Sequence, residues 1–419
     1  MIEYIKKAIA DGKTFIVFAV LRVIGQVLFF LTPLLIAFYF SQENFGVYSL
    51  SITTVYLFTT LLIGSSQKPF IVYANQERNE SGSIRKSFTA RLLFFVAASF
   101  LFALLVFFFK DNIMRFTYLP SSAFVYLALA YIGISIRYVF EALFLGLGKK
   151  IAYAIFSGVT GFISLLFLGI FFIVHIPTLE AALAAFFVGP FIAGICSLFF
   201  IRSKDIFPLA YDAEMCKKMF RYTRWAFLGG GAMYLVNWGD NFVLRYIVPL
   251  EEIGEYNFGY QFFKGTVILL GTINLYFLPF LSLHARDTEK IRAYMYRKRP
   301  LIFFLGAASI AAFFFVFPFV IQMVYGEKYA DAIPVVRVLS VGSLFLLWSV
   351  FYAALFDALE YYRFTQVAHV AMVAINLILD VVFVTWWGII GAAIATTIAY
   401  FFSALLYEWY FQAHYRRRA

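Results

Sequence analysis

Twelve apolar stretches, each long enough to cross a bilayer as a helix, follow one another along this chain. They lie at about 14–40, 46–66, 88–109, 122–147, 151–174, 180–201, 223–248, 256–283, 301–325, 333–357, 364–385 and 388–411. A spanning helix needs roughly 20 predominantly apolar residues, because it rises 1.5 Å per residue through some 30 Å of hydrocarbon. The composition agrees: 63% of residues are hydrophobic and 14% charged, against about 45–50% and about 25% in soluble domains. Fifty-five phenylalanines exceed what one globular core buries. The expected fold class is therefore an all-α integral membrane protein with about 12 transmembrane helices.

Charge sets the orientation. With the N-terminus inside, cytoplasmic segments hold 26 of the 34 Lys and Arg residues. These run from Lys6, Lys7 and Lys13 through Lys68, Arg78, Arg85, Lys86, Arg91, Lys149 and Lys150. Basic clusters at 202–224 and 286–299, then Arg363 and Arg416–Arg418, complete the set. The external loops hold only Lys110, Arg115 and Lys328. Basic loops stay cytoplasmic, so both termini are expected inside. The net charge of +11 is thereby read as topology and anchoring to anionic lipid, not as a nucleic-acid footprint. The run Thr14–Phe40 is too long for a cleavable signal, and no small-residue cleavage site follows it. Two cysteines, Cys196 and Cys216, exclude a disulfide-built ectodomain, and the scattered His175, His284, His369 and His414 form no metal-binding spacing.

A repeat divides the chain. Phe40-Ser-Gln-Glu-Asn-Phe-Gly-Val-Tyr48 resembles Val248-Pro-Leu-Glu-Glu-Ile-Gly-Glu-Tyr256, with Glu, Gly and Tyr matching 208 residues apart. Glu180-Ala-Ala-Leu-Ala resembles Gly391-Ala-Ala-Ile-Ala at an offset of 211. Two matches at nearly one offset predict two six-helix bundles, 1–205 and 206–419, joined by the basic segment 202–222. An even number of spans per half makes the repeat parallel, an arrangement common among carriers that bind substrate between their halves. The short external loops leave little chain for an external catalytic domain.

Ionisable groups in hydrocarbon are costly and usually face a cavity or one another. Arg137 and Glu141 are spaced i,i+4 and can pair on one helix face. Arg22 and Lys264 have no acidic residue at i±3 or i±4, so each needs another helix, water or an anionic ligand. Both suit phosphate, Arg22 through a bidentate fork. Arg245, Arg337 and Asp357 lie near span ends, within reach of the interfaces. Counted from the inner ends of their spans, Asp240, Asp380 and Thr396 lie 17, 16 and 15 residues deep. Asn376 shares a face with Asp380. Two carboxylates, an amide and a hydroxyl at one depth make an all-oxygen cation site, a protonatable carboxylate pair or an interhelical hydrogen-bond network.

Several of these elements resemble the polysaccharide flippases of the multidrug/oligosaccharidyl-lipid/polysaccharide exporter superfamily. They are the loop Glu43-Asn-Phe-Gly-Val-Tyr48 with its echo Glu252-Ile-Gly-Glu-Tyr256, and Asp240 within Asn237-Trp-Gly-Asp-Asn-Phe-Val-Leu244. The turn Tyr325-Gly-Glu-Lys-Tyr-Ala-Asp-Ala-Ile-Pro334 follows, then Asn376 and Gly388-Ile-Ile-Gly-Ala-Ala-Ile-Ala-Thr396. The resemblance implies two bundles around a V-shaped central cavity. It also implies a non-enzymatic carrier that flips undecaprenyl-diphosphate-linked oligosaccharide across the bacterial cytoplasmic membrane by alternating access. Arg22, Lys264 and Arg137 would then contact the diphosphate. Asp240, Asn376, Asp380 and Thr396 match the sodium site of some lipid II flippases, which implies Na⁺ or H⁺ as coupling ion and no other cofactor. Expected partners are the lipid-linked oligosaccharide, membrane lipids, and a polysaccharide polymerase with its chain-length machinery; nucleic acid is not among them. Twelve spans instead of fourteen, and an incomplete arginine set, favour an O-antigen, capsule or exopolysaccharide unit over lipid II. The competing readings are a cation-coupled drug exporter of the same fold and a membrane glycosyltransferase or polymerase. The first prefers an acidic, aromatic cavity; the second needs a large external loop or an acidic metal motif.

Overall fold

The twelve apolar stretches are largely helical in the computed structural model, which describes residues 2–174, 177–284, 287–359 and 361–414. His175, Arg286 and Arg416–Arg418 lie outside the described residues. In chain order the helices are α1 (Ile2–Tyr39), α2 (Gln42–Phe58), α3 (Gln67–Ser81), α4 (Arg85–Thr117), α5 (Phe124–Gly146), α6 (Lys150–Val174) and α7 (Leu179–Leu198). There follow α8 (Ser203–Ile206), α9 (Ala213–Trp238), α10 (Asp240–Ile247), α11 (Leu250–Leu283), α12 (Thr288–Ala293), α13 (Arg299–Tyr325), α14 (Ala332–Ala358) and α15 (Tyr362–His414). Among the described residues there is no strand, and nine helical segments are long and apolar enough to cross a membrane.

Several of those segments are interrupted, among them Thr288–Tyr329, which passes through a π turn at Tyr294–Lys298. Between α2 and α3 the chain passes through a π turn, Thr59–Ile63, and a 3-10 turn, Gly64–Ser66. Helix α4 bends at Phe109. Helix α15 breaks at Trp387–Gly388, where Gly388 takes φ +55° and ψ −137°. A side chain there would be strained, so the glycine divides α15 into two arms, the expected eleventh and twelfth spans.

The chain forms two compact units. The first comprises Met1–Phe40 and Val47–Tyr234, the second Ser41–Gly46 and Leu235–Ala419. The boundary expected at 205/206 therefore falls at 234/235, because α9 packs on the first unit. Met219 is buried there with Phe70, Ile84 and Leu143. The Phe220 ring stacks on Phe94, and the Tyr234 hydroxyl donates to the Thr53 carbonyl at 2.9 Å. Lys86 on α4 pairs with Asp212 at 2.8 Å, and this ammonium holds the Asp212 carboxyl below its usual range. The segment Ser41–Gly46 belongs to the second unit through Gln42, whose Nε2 donates to Glu255 Oε1 at 2.8 Å, and through the Phe45–Tyr329 ring contact.

Within the first unit α1 lies along α6 and α5 along α7, brought close by small residues. A Cβ at Gly25 would stand 2.9 Å from the Gly158 nitrogen. In the second unit an aromatic core gathers Phe277, Tyr294, Phe351, Tyr352, Phe356 and Tyr407. Large apolar side chains remain on the outside, among them Phe107, Ile173, Phe199 and Met323 at 78%, 78%, 87% and 89% exposure. Water would not tolerate so extensive an apolar surface, whereas lipid does. This is a multi-pass membrane protein.

Candidate functional site

Helix α9 hands over to α10 at Gly239. Its Cβ, if present, would stand 2.4 Å from the Leu235 carbonyl and 3.0 Å from Leu377 Cδ2. The glycine thus lets the start of α10 approach the first arm of α15 and brings Asp240 to the level of Asn376 and Asp380. Thr396 Oγ1, from the second arm, donates to Asp240 Oδ2 at 3.0 Å. Asn376 Nδ2 donates to Thr396 Oγ1 at 3.3 Å. The Asp380 carboxyl lies beside Asp240 and interacts with it electrostatically. All four residues are buried, Asp380 at 0% exposure and Asp240 at 4%. The constellation expected from span depth is therefore one contiguous cluster inside the second unit.

A fifth member was missed. The Tyr256 hydroxyl donates to Asp240 Oδ2. Tyr256 is the tyrosine of the repeated loop motif, matching Tyr48 in the first copy, and read in the sequence only as a loop landmark. That motif starts α11, so its tyrosine turns inward to the carboxylate. Beside it Asn257 Nδ2 donates to Asn241 Oδ1 at 2.6 Å and Asn241 Nδ2 returns a bond to Asn257 Oδ1 at 3.2 Å.

Among the described residues, Asp240 Oδ1 and both Asp380 carboxylate oxygens have no hydrogen-bond donor. Buried acceptors are normally satisfied, and two adjacent carboxylates cannot both stay charged without a neutralising partner. With the Thr396 hydroxyl and the Asn376 amide, these orphaned oxygens form an oxygen-only donor set. It suits a hard cation or a shared proton, and lacks the nitrogen and sulfur ligands that transition metals favour.

Lys264 stands two helical turns along α11 from Tyr256. Its Nζ is 3.1 Å from the centroid of the Trp238 ring and 5.0 Å from that of Tyr260. The nitrogen is buried with no hydrogen-bond partner among the described residues. An ammonium held by ring faces retains three unused donors.

The other two cations expected to contact ligand are in the first unit. Arg137 Nε donates to Glu141 Oε1 at 2.8 Å, and its guanidinium lies 4.2 Å from the Phe29 ring centroid. The i,i+4 pair is formed as expected. Arg22 Nη1 donates to the Tyr153 hydroxyl at 3.1 Å, so its protein partner is a phenol on α6, and no carboxylate pairs with it among the described residues. Both arginines act electrostatically on Tyr153, which places them in one neighbourhood. Lys264 belongs to the second unit.

Of the remaining charges, Asp357 accepts from Asn274 Nδ2 at 3.4 Å, and Arg337 lies 5.5 Å from the Phe314 ring centroid. Arg91, expected on the cytoplasmic side, is buried on α4 at 2% exposure. Its Nη1 donates to the Ile63 carbonyl at 3.1 Å and to Ser66 Oγ, satisfying backbone freed where the α2–α3 segment leaves α-helical bonding. Glu408 is a further inclusion in an apolar span. It accepts from the Tyr352 hydroxyl and from Trp348 Nε1 at 3.2 Å, and pairs with Arg299 at 3.5 Å. Its position inside the 388–411 stretch was the available signal.

The family model described as "Polysaccharide biosynthesis protein" matches residues 12–282. A Shigella flexneri protein assigned as an O-antigen transporter is 22% identical over 387 residues, 88% of this chain and 89% of that protein. A Methanocaldococcus jannaschii membrane protein of no assigned function is 23% identical over 224 residues, 50% of this chain but only 43% of its own length. The fold is similar to that of the lipid II flippase MurJ in an inward closed conformation, with TM-score 0.77, 15% identity, and coverage of 95% of this chain and 87% of the other. It is similar also to an inward-facing multidrug MATE transporter of the MOP superfamily, with TM-score 0.76, 14% identity, and coverage of 93% and 94%.

Proposed function

This chain belongs to the polysaccharide biosynthesis protein family, and on that premise we propose that it is a flippase for undecaprenyl-diphosphate-linked oligosaccharide units of an O-antigen, capsule or exopolysaccharide. The observation that carries the reading is the state of its deep cations. Arg22 bonds to a phenol, Lys264 rests on aromatic rings, and neither has an ion pair among the described residues. Such groups retain donors and charge for a diphosphate, whereas a cavity for cationic drugs would repel its cargo with them. Arg137, already neutralised by Glu141, serves as a weaker contact.

The cycle is alternating access in the cytoplasmic membrane, with both termini cytoplasmic as the basic loops require. The oligosaccharide crosses intact; no bond is made or broken. Asp240, Asn376, Asp380 and Thr396 would hold the coupling ion, Na⁺ or H⁺, which supplies the positive charge that two adjacent carboxylates need. Binding of that ion biases the carrier only if its affinity differs between inward and outward states. Product units would pass to a polymerase acting on the outer leaflet.

Leaflet transfer of a fluorescent prenyl-diphosphate oligosaccharide in proteoliposomes tests this. Arg22→Ala and Lys264→Ala are each expected to lower transfer by at least tenfold at equal reconstitution, and an imposed Na⁺ or pH gradient to change the wild-type rate. Failure to move any prenyl-linked sugar, together with gradient-driven efflux of organic cations, would replace the flippase reading with that of a drug exporter.

A further inference from the structure

Tyr256, Tyr260 and Lys264 recur every four residues along α11 and so share one helix face. The two tyrosine rings stack with centroids 5.6 Å apart and planes inclined by 24°. At one end of this ladder the Tyr256 hydroxyl donates to Asp240; at the other, Lys264 Nζ lies over Tyr260 and Trp238. The ladder joins the Asp240 carboxylate to the Lys264 ammonium through two aromatic rings. All these groups belong to the second unit.

Charge arithmetic then limits what the pocket can hold. Asp240 and Asp380 supply two negative charges when ionised, and Lys264 supplies one positive charge. One further monovalent cation makes the assembly neutral, the condition favoured in a buried site of low dielectric. A second monovalent cation, or a divalent one beside the ammonium, would leave an excess positive charge. We propose that Lys264 is the built-in counter-charge of the Asp240–Asp380 pocket: it limits the pocket to a single monovalent cation, and the arrival of that cation releases the ammonium to an anionic ligand. This rests on the carrier reading above and deepens it.

The two halves of the proposal are linked. A cation between the carboxylates cancels the pull of Asp240 on Lys264, leaving the ammonium's donors to a diphosphate. A diphosphate on Lys264, in turn, cancels the repulsion between the ammonium and the incoming cation. Thermodynamic linkage makes the two effects equal, so cation and anionic ligand favour each other's binding.

Calorimetric titration of Na⁺ into the detergent-purified full chain, with choline as the only other cation, reads the first half. Wild type is expected to bind one Na⁺ per chain. Lys264→Gln should bind Na⁺ about tenfold more tightly, since removing one nearby unit charge at partly buried depth changes affinity by at least a decade. Lys264→Arg should stay close to wild type, and Lys264→Met repeats the neutral substitution should the Gln variant not fold. Fluorescence binding of undecaprenyl diphosphate reads the second half: Na⁺ should tighten it in wild type and leave Lys264→Gln and Asp240→Asn unaffected. Unchanged Na⁺ affinity in a folded neutral variant overturns the proposal and leaves the ion-pocket reading intact. Absence of Na⁺ binding in wild type, with Asp240→Asn indistinguishable from it, overturns both.

Discussion

Gly46 and Gly254 offer a quantitative test of the second unit's packing. A Cβ on Gly46 would stand 2.2 Å from the Leu250 carbonyl oxygen, and one on Gly254 would stand 2.0 Å from the Gln42 carbonyl oxygen. Each glycine also faces the other's backbone, at 3.3 and 3.1 Å from its nitrogen. Such contacts are not tolerated below about 3.0 Å, so either alanine must push the starts of α2 and α11 apart by some 0.8–1.0 Å. Overpacking of that kind costs about 1–3 kcal/mol. The better helix propensity of alanine returns up to about 1 kcal/mol, which leaves each single variant destabilised by roughly 1–2 kcal/mol. One displacement makes room for both methyl groups, so the double variant should be no less stable than the weaker single, with a coupling of at least about 1 kcal/mol. Denaturant unfolding of the four proteins in micelles, followed by tryptophan fluorescence, measures this cycle. Additive losses, or no loss in either single variant, would refute the argument that the two glycines share one crossing.

Two further substitutions address the buried charges. Glu141→Gln strands the Arg137 guanidinium, whose side chain is only 16% exposed. Loss of one partner of such a pair costs about 3–5 kcal/mol, so the variant should show a sharply lower yield of folded protein by size-exclusion chromatography, and Arg137→Met/Glu141→Met should recover much of it. Asp380→Asn removes one of two adjacent buried carboxylates, and the folded protein is expected to melt at the same or a higher temperature while proteoliposome transfer loses its response to an ion gradient. A gradient response equal to wild type would remove Asp380 from the coupling site.

The repeat shows how far a sequence reading reaches. The offset of 208 residues that aligns Gly46 with Gly254 also aligns Gln42 with Leu250, and the contact pairs Gly46 with Leu250 and Gly254 with Gln42. The motif's glycines are therefore what allow two related helix starts to cross backbone against backbone. Span depth likewise brought Asp240, Asn376, Asp380 and Thr396 to one level, because helical rise is uniform enough to count residues from an interface. Tyr256 escaped the same count because it lies at the start of its span, and hydropathy carries no signal for the direction of a tyrosine hydroxyl. Arg91 escaped because charge statistics place basic residues by loop. They cannot foresee that a π turn ending 28 residues earlier, at Ile63, will expose its carbonyl and need a donor there. The boundary at 234/235 was hidden for a related reason: α9 is continuous through residues that pack on the first unit, and composition does not change where the packing does.

The choice between a flippase and a drug exporter lies below the level of fold, since helices in the same order serve both kinds of carrier. It rests on the sign and the satisfaction of buried charge. A carrier for organic cations needs carboxylates that stay available to cargo. Here Glu141 is committed to Arg137, Glu408 to Arg299, Tyr352 and Trp348, and Asp240 to Thr396 and Tyr256. Among the described residues, the buried carboxylate oxygens with no donor are those of Asp380 and Oδ1 of Asp240, enclosed at 0% and 4% exposure, where a drug-sized cation does not reach them. Among the described residues, Lys264 Nζ is a buried donor with no hydrogen-bond partner and no ion pair, and the guanidinium of Arg22 bonds to a phenol. A phenol is a weak competitor for a guanidinium, because it carries no charge to set against the cation and offers one oxygen where a diphosphate can take two parallel bonds. A diphosphate reaching Arg22 would therefore displace Tyr153 at little cost, and the same exchange would be unfavourable at Arg137, whose Nε is already paired with Glu141. That difference ranks the two arginines: Arg22→Ala should weaken undecaprenyl diphosphate binding by at least tenfold, while Arg137→Met/Glu141→Met, which removes charge in balance, should weaken it by less.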